Sequence, residues 1–202
     1  REPKMKVYPV TVVNLFGKYG DFEVDSNADG VADGWNVSLP GTQIELSSEK
    51  SVIGTKSQHM SRFEKPPAGA YYTFESIISN ILTGGHKYFL SLWMYCNYTT
   101  YSRGVNSNGV DYFITGGSTT PNQFNKNYDS FTPSTTGNMR IFYRPDPPND
   151  IVHYWFDGFM LVNLTHMGAL PQPLKEYFNN VPSTWADLAT SSNITAVDGK
   201  VQ

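Results

Sequence analysis

The stretch from Lys87 to Tyr98 constrains the fold of this chain most, because apolar and polar side chains alternate along it. A β-strand places successive side chains on opposite faces, so this period of two predicts a strand with one aliphatic face buried in a core. The other face carries Trp93 and Tyr95, which either meet solvent or a ligand together or pack beneath a covering loop. The aliphatic positions are Leu90, Leu92, Met94 and Cys96.

Many short strand-like segments, about ten in all, are separated by glycine and proline turns along the chain. They predict an all-β fold, a jelly-roll β-sandwich, with a short C-terminal helix over 173–180. We expect an N-terminal arm or linker strand over 1–13, one sandwich over 14–185, and a linker or the start of a next module over 186–202. Because the numbering begins at an arginine, we expect the chain to be a fragment of a longer polypeptide.

Charge, hydropathy and cysteine content argue against several classes of partner. The formal net charge of -3 provides no broad basic field to attract nucleic acid or anionic lipid. No apolar run approaches the roughly 20 residues that span a bilayer, so the sequence predicts no membrane partner. Cys96 is the single cysteine, and its apolar neighbours predict a buried, inert thiol.

Motifs that carry catalysis do not stand out in the sequence. The four histidines lack the spacings typical of zinc sites. Neither a Gly-x-Ser-x-Gly nucleophile elbow nor a glycine-rich phosphate loop occurs, and Cys96 has no histidine beside it in the sequence. The sequence therefore predicts a protein that is not an enzyme.

An acidic, glycine-punctuated loop follows the first apolar segment. Its residues 25–33 match a DxNxDGxxD spacing, by which alternate side chains of a tight loop converge on calcium. The twelfth position holds Asn36 instead of a bidentate glutamate, and the alternative is a solvated loop of Asx turns. The candidate metal ligands in and beside this loop are Asp21, Asp25, Asn27 and Asp29.

Glu23 and Asp157 form a second candidate pair, because each carboxylate is embedded in an apolar run. Two such groups can serve as the acid and nucleophile of a glycosidase, or they can share a hard cation. Their aromatic neighbours are typical of a core or its rim, which favours the cation. We therefore expect structural Ca²⁺ as the cofactor.

Aromatic and amide side chains provide the remaining candidate chemistry. A sugar ring has apolar faces and a belt of hydroxyls, so its recognition needs flat aromatic platforms beside hydrogen-bonding groups. The alternative is that these aromatic residues fill a large sandwich core. Asn106, Asn108 and Asp111 are further possible hydroxyl partners. The candidate carbohydrate-binding residues are Trp93, Tyr95, Asn97, Tyr112, Arg140 and Tyr143.

The opening NLFGKYGDFEVDSNADGVADGW resembles the start of bacterial sandwich carbohydrate-binding modules, including those that bind xylan and β-glucans. That family has a jelly-roll fold, and the glutamate after its Gly-Asp-Phe motif binds a structural calcium together with an aspartate of the last strand. The resemblance implies that Glu23 and Asp157 take these roles, joined by a carbonyl near Asp21.

The later segment WFDGFMLVNLTHMGALPQPLKEYF is similar to a DxxMLxDLTxxFGAGNEP pattern. That pattern ends carbohydrate-binding domains in tail and baseplate proteins of phages that infect Gram-positive bacteria. The match departs at His166 and Met167, and LPQP replaces GNEP.

Together the resemblances imply a non-catalytic carbohydrate-binding domain of a phage tail or baseplate protein, located in the virion. It would bind host cell-wall or surface polysaccharide and contact other domains of a longer tail protein. One alternative is an accessory module of a secreted bacterial glycoside hydrolase. Another is a structural domain that decorates a tail and binds no glycan.

Overall fold

The computed structural model describes residues 10–38, 42–62, 72–97, 101–113, 120–145 and 152–165, and the backbone of 193–197 and 200–201. The helix predicted over 173–180 lies outside the described residues. The elements in chain order are β1 Val10–Val13, a 3₁₀ helix Gly17–Asp21, β2 Trp35–Ser38, β3 Thr42–Ser47, β4 Ser57–Arg62, β5 Tyr72–Ser76, β6 Tyr88–Cys96, β7 Tyr101–Ser107, β8 Val110–Phe113, β9 Gln123–Phe131, β10 Arg140–Pro145, β11 Val152–Asn163, β12 Asn193–Val197 and β13 Lys200–Val201.

Two five-stranded antiparallel sheets form the sandwich. Sheet I has the strand order β2-β5-β10-β7-β8, and sheet II has the order β3-β4-β11-β6-β9. This architecture confirms the predicted all-β sandwich of the jelly-roll kind. Among the described residues, helical conformation is limited to the 3₁₀ helix and to Thr165.

A small third sheet joins the two ends of the chain. In it β1 pairs antiparallel with β12, with Val10 opposite Ala196 and Val13 opposite Asn193. The low content of bulky residues in 186–202 predicted a linker or a next module, but β-branched residues within β12 favour a strand. The predicted domain boundaries at 13 and 185 stay predictions.

The alternation along β6 places its aliphatic side chains in the core, as predicted. Leu90, Leu92, Met94 and Cys96 are at most 1% exposed and belong to the core between the sheets. Trp93 and Tyr95 lie on the opposite face of sheet II and are partly exposed.

An aromatic cluster fills one end of the core. Phe22 meets Phe159 with ring centroids 4.8 Å apart, and Trp35 meets Phe159 at 5.2 Å and Phe16 at 4.9 Å. Edge-to-face and tilted pairs of this kind add to the stabilisation from burial. Phe16 and Phe22 flank the 3₁₀ helix, which packs against β11.

Asn14 attaches the N-terminal segment to β11 beside a β-bulge. Its Nδ2 donates to the Phe159 carbonyl at 3.0 Å, and its Oδ1 accepts from the Leu161 N–H at 3.0 Å and the Phe16 N–H at 3.2 Å. Pairing between β11 and β6 shifts register between Asp157 and Met160, so the side chain of Asn14 satisfies backbone groups where the ladder is irregular.

Candidate functional site

A row of polar side chains crosses all five strands of sheet I. The strand registers place Asn36 opposite Glu75, Glu75 opposite Arg140, Arg140 opposite Asn106, and Asn106 opposite Asp111. Adjacent strands lie about 4.8 Å apart, so the row is about 19 Å long. We call these five residues the transverse row.

The transverse row faces away from the core. Phe74, Ile141 and Val105, the neighbours of its three central members, are buried at 0% exposure. Because side chains alternate along a strand, Glu75, Arg140 and Asn106 point to the outer face. The same pleat therefore builds the core and the polar outer surface.

The side chains of the transverse row bond to one another in pairs. Arg140 Nη2 lies 3.2 Å from Glu75 Oε2, and Asn106 Nδ2 donates to Asp111 Oδ1 at 2.5 Å. Exposed pairs of this kind contribute little to stability, so a ligand can replace them at small cost. Amide, carboxylate and guanidinium groups in one line offer both donors and acceptors to a polyhydroxylated ligand.

Open space lies over this row. A groove of about 390 Å³ is lined by Glu75, Arg140, Asn106, Asn108 and Asn138 among others. A second groove, of about 350 Å³, lies at the β2 edge and includes Asn36, Tyr19 and Lys18. Because the first groove includes Glu75 and the second includes its cross-strand neighbour Asn36, the two adjoin.

The turn between β7 and β8 forms one wall of the first groove. Asn108 and Gly109 both have positive φ, 49° and 81°, as a tight hairpin turn of the I′ type requires. The side chain of Asn108 donates to the Thr136 carbonyl at 2.8 Å and to Thr135 Oγ1 at 3.1 Å. These hydrogen bonds attach the turn to the segment that precedes β10.

The outer face of sheet II carries an aromatic layer. The rings of His59 and Trp155 stack with centroids 4.2 Å apart, His59 stacks on His153 at 5.3 Å, and Tyr95 meets Trp155 edge-on at 5.2 Å. His59 Nδ1 lies 2.7 Å from Glu45 Oε1. Burial and the neighbouring His59 lower the pKa of His153, which disfavours the protonated ring.

The loop Lys50–Lys56, called the covering loop from here on, lies over this layer. Lys50 Nζ lies 4.6 Å from the Trp155 ring centroid and 5.1 Å from that of Tyr95. A Cβ added at Gly158 would lie 2.6 Å from Ile53 Cδ1, so the loop also packs on β11. The loop thus helps to bury Trp155, which is 5% exposed. Trp93 and Tyr95, to which the two alternatives apply, are partly exposed, with Lys50 over the Tyr95 ring.

The structure does not bring the predicted carbohydrate-binding residues into one site. Trp93, Tyr95 and Asn97 belong to β6 or its end in sheet II, whereas Arg140 belongs to β10 in sheet I. Tyr112 packs beside Phe131 at 5.7 Å, and its hydroxyl accepts from the Ser134 N–H at 2.8 Å.

Tyr143 lies in β10, three residues after Arg140. The predicted residues therefore divide between the two sheets, and their role in carbohydrate binding stays a prediction. Within the transverse row, sequence reasoning missed Asn36 and Glu75. Polar residues alternate with apolar ones at both positions, but only the register shows that they are neighbours.

The acidic loop after the 3₁₀ helix is closed by its own hydrogen bonds. Asp25 accepts from the Gly30 N–H at 2.9 Å, Asp29 from the Val31 N–H at 2.8 Å, and Asp33 from the Ser26 N–H at 2.9 Å. Asn27 donates to Asp29 Oδ2 at 2.9 Å. This is the Asx-turn alternative, and among the described residues no group of three or more His, Cys, Asp or Glu side chains is arranged to hold a metal ion.

Asp157, at 0% exposure, is bound to backbone N–H groups. Its Oδ2 accepts from Val52 at 2.7 Å and Ile53 at 2.9 Å, and its Oδ1 accepts from Gly158 at 2.7 Å. Burial raises the pKa of Asp157 to about 6, against the partial opposing effect of these N–H groups, and the charge of Glu23 adds to the increase.

Glu23 holds the other end of the covering loop. Its Oε1 accepts from the Thr55 N–H at 2.7 Å and the Lys56 N–H at 2.9 Å, and its Oε2 accepts from Thr55 Oγ1 at 2.8 Å. Burial alone would raise the pKa of Glu23, but these donors outweigh it and lower the pKa.

Asp21 does not join Glu23 and Asp157 as a third carboxylate, since its Oδ1 caps the Glu23 N–H at 3.4 Å. Burial raises the pKa of Asp21. In this arrangement all four oxygens of the Glu23 and Asp157 carboxylates already accept N–H or O–H donors. The Glu23 and Asp157 carboxylates, in this arrangement, do not fit a calcium ion. The prediction of structural calcium stays a prediction.

Titration of Asp157 predicts a pH dependence of stability. Because its pKa rises from 3.8 unfolded to about 6 folded, the folded state binds the proton more tightly, and stability falls as pH rises between these values. For Asp157 alone this is a fall of about 3 kcal/mol. The lowered pKa of Glu23 partly offsets it, and the raised pKa of Asp21 adds to it. Unfolding measured from pH 4 to 7 should show this fall, and Asp157→Asn should flatten it. A wild-type profile as flat as that of the variant would contradict the assignment.

The described residues contain no helix long and apolar enough to cross a membrane. The sequence matches no protein-family model, and it has no match among curated proteins.

Solved structures resemble the fold. The CBM22-1–GH10 modules of Clostridium thermocellum endo-1,4-β-D-xylanase 10B, in complex with xylohexaose, align with 78% of this chain at 15% identity and a TM-score of 0.51. This chain covers 29% of that one. The C-terminal family 22 carbohydrate-binding module of Clostridium thermocellum Xyn10B aligns with 70% of this chain and 96% of its own length, at 17% identity and a TM-score of 0.50. The structural neighbours of this β-sandwich are thus carbohydrate-binding modules.

Proposed function

We propose that this protein is a non-catalytic carbohydrate-binding domain whose ligand lies along the transverse row of sheet I. The observation that carries the proposal is the row itself, five polar side chains in one line, of which all but Asp111 line the adjoining grooves. A line of about 19 Å suits several consecutive sugar units of a chain. The likeness of the fold to carbohydrate-binding modules supports the same function.

Sheet I is a better candidate surface than sheet II. On sheet II the covering loop already lies on Trp155 and Tyr95, and Lys126 Nζ lies 4.8 Å from the centroid of the Trp93 ring. A ligand that stacked on this aromatic layer would have to displace the loop and its hydrogen bonds. The grooves over sheet I require no such displacement.

The carboxylates of the transverse row do not suit glycoside hydrolysis. Glu75 and Asp111 stand three strands apart in the row, about 14 Å, whereas hydrolase pairs are about 5 to 9.5 Å apart. The other pair, Glu23 and Asp157, is bound to the covering loop, and Asp157 is buried at 0% exposure. Neither pair offers a substrate an acid and a nucleophile.

The wider context that we propose is a phage tail or baseplate protein that adheres to host cell-wall saccharide. The similarity of the segment after Trp155 to the ends of tail and baseplate domains supports it. A single domain would bind weakly, on the order of micromolar to millimolar, and many copies on one particle would supply avidity.

The alternative context is an accessory module of a secreted glycoside hydrolase. It is favoured by the alignment with a chain that holds a carbohydrate-binding module beside a GH10 module. The parent polypeptide distinguishes the two, because a catalytic domain beside this one supports the hydrolase and tail-structural domains support the phage.

Arg140→Ala should weaken glycan binding by about tenfold or more, since charged hydrogen bonds contribute about 1.5–3 kcal/mol. A glycan array and affinity electrophoresis with host cell-wall polysaccharide would first identify the ligand, and titration of both proteins would then give the ratio of affinities. Lys126→Ala removes the same charge from sheet II and should leave binding unchanged.

Three outcomes would contradict this proposal. Equal loss of affinity in both variants would indicate non-specific attraction, and loss only in Lys126→Ala would move the site to sheet II. A folded wild-type domain that binds no polysaccharide on the array or from host walls would support the structural, non-binding alternative.

A further inference from the structure

Backbone N–H groups of the covering loop converge on two carboxylates that come from distant parts of the chain. One carboxylate belongs to Glu23 in the N-terminal segment and the other to Asp157 in β11. Each binds two successive N–H groups at 2.7–2.9 Å, which is the range of charge-assisted hydrogen bonds. The four donors are the N–H groups of Val52, Ile53, Thr55 and Lys56.

These donors compete with a cation for the same lone pairs. Calcium needs six to eight oxygen ligands at about 2.3–2.6 Å. The two carboxylates supply four oxygens, and each already accepts at least one N–H or hydroxyl donor, those of Gly158 and Thr55 included. A cation placed between them would face the positive ends of N–H dipoles, so the site favours the peptide over the metal.

Gly54 shows that the loop approaches the carboxylate directly. Its φ of +63° disfavours other residues, and a Cβ at this position would lie 2.1 Å from Glu23 Oε1. Only a residue without a side chain allows Thr55 and Lys56 to reach the same oxygen. The glycine between the two pairs of donors is therefore part of the contact.

We infer that the covering loop replaces the calcium ion that the sequence resemblance implies, and that its N–H groups join Glu23 to Asp157 without a metal. The loop then has two structural roles. It connects the N-terminal segment to β11, and it keeps Lys50 and Ile53 on the aromatic layer of sheet II. Stability of the sandwich is accordingly independent of calcium.

Thermal unfolding of the full chain, after chelation and again in millimolar calcium, tests this inference. We expect the same melting temperature in both conditions. Hydrogen exchange of the calcium-free protein should show protected amides at Val52, Ile53, Thr55 and Lys56. A melting temperature raised by several degrees in calcium would overturn the inference, as would rapid exchange of these four amides.

Variants add a second readout. Thr55→Val removes one donor with little change of shape, and Glu23→Ala removes the acceptor of three hydrogen bonds. Glu23→Ala should lower the melting temperature by roughly 5 °C or more, equally with and without calcium. Thr55→Val should lower the melting temperature by less. This variant provides the measurement if Glu23→Ala does not fold. Glu49→Ala removes an exposed carboxylate just before the loop that accepts from Lys50, and should change little. If the melting temperature of Glu23→Ala fell below that of the wild type only in calcium, the Glu23 carboxylate would instead be assigned to a metal site.

Discussion

Replacing Asn14 with leucine should lower the free energy of unfolding by about 4 kcal/mol, among the largest effects expected of any single substitution in this domain. Asn14 is 5% exposed and bonds three backbone groups of two segments. Leucine has a similar volume but no polar atom, so the Phe159 carbonyl and the N–H groups of Phe16 and Leu161 would lose this partner. Each buried group left unpaired costs about 1–3 kcal/mol.

Chemical denaturation followed by tryptophan fluorescence would measure the change, and the melting temperature should fall by roughly 10 °C. Asn138→Leu is the matched control. Its Oδ1 also accepts a backbone N–H, that of Asn80 at 2.9 Å, but its side chain is exposed. Water can replace that bond, so we expect a loss below about 1 kcal/mol. If the two variants lost the same free energy of unfolding, the hydrogen bonds of Asn14 would not be what attaches the N-terminal segment to β11.

The alternation along β6 was enough to predict a sandwich strand, because a period of two has a single structural cause. The same pattern also predicted that Trp93 and Tyr95 share the outer face. It could not show that a loop some 40 residues earlier covers part of that face. Coverage depends on hydrogen bonds that the Val52 and Ile53 N–H groups donate to Asp157. Tertiary contacts of this range leave no periodic signal.

The transverse row lay beyond sequence reasoning for a related reason. Arg140, Asn106 and Asp111 were recognised as polar candidates, but their proximity depends on strand registers between segments far apart in the chain. A shift of one residue in any register would break the row and move a core residue outward. Strand existence is therefore predictable here, whereas the assembly of a surface from several strands is not.

The acidic loop illustrates a different limit. Asp25, Asn27 and Asp29 can bind a cation or close Asx turns with the same side-chain oxygens, so spacing alone leaves both alternatives open. The structure shows the turns, with bonds to the N–H groups of Gly30 and Val31. Residue type predicted a constrained loop, and backbone geometry was needed to show what constrains it.

Gly20→Ala is expected to destabilise the domain by about 3 kcal/mol through a clash that the backbone cannot avoid. A Cβ at this position would lie 2.1 Å from the Phe159 carbonyl oxygen and 3.1 Å from Asn14 Nδ2. Both atoms belong to the hydrogen bond that anchors the N-terminal segment. The 3₁₀ helix would have to move off β11, which would also loosen the packing of Phe16 and Phe22 in the aromatic cluster.

Gly17→Ala separates this steric effect from the general cost of losing a glycine. Gly17 has a φ of +53°, but a Cβ there would meet no atom within 4 Å, so only backbone strain of about 1 kcal/mol is expected. Urea denaturation of both variants should therefore give a clearly larger loss for Gly20→Ala. If Gly17→Ala proved as costly, left-handed backbone strain at the start of the helix, and not the close approach to Phe159, would dominate. Combined with Asn14→Leu, Gly20→Ala should cost less than the sum of the separate losses, because both disrupt one hydrogen bond.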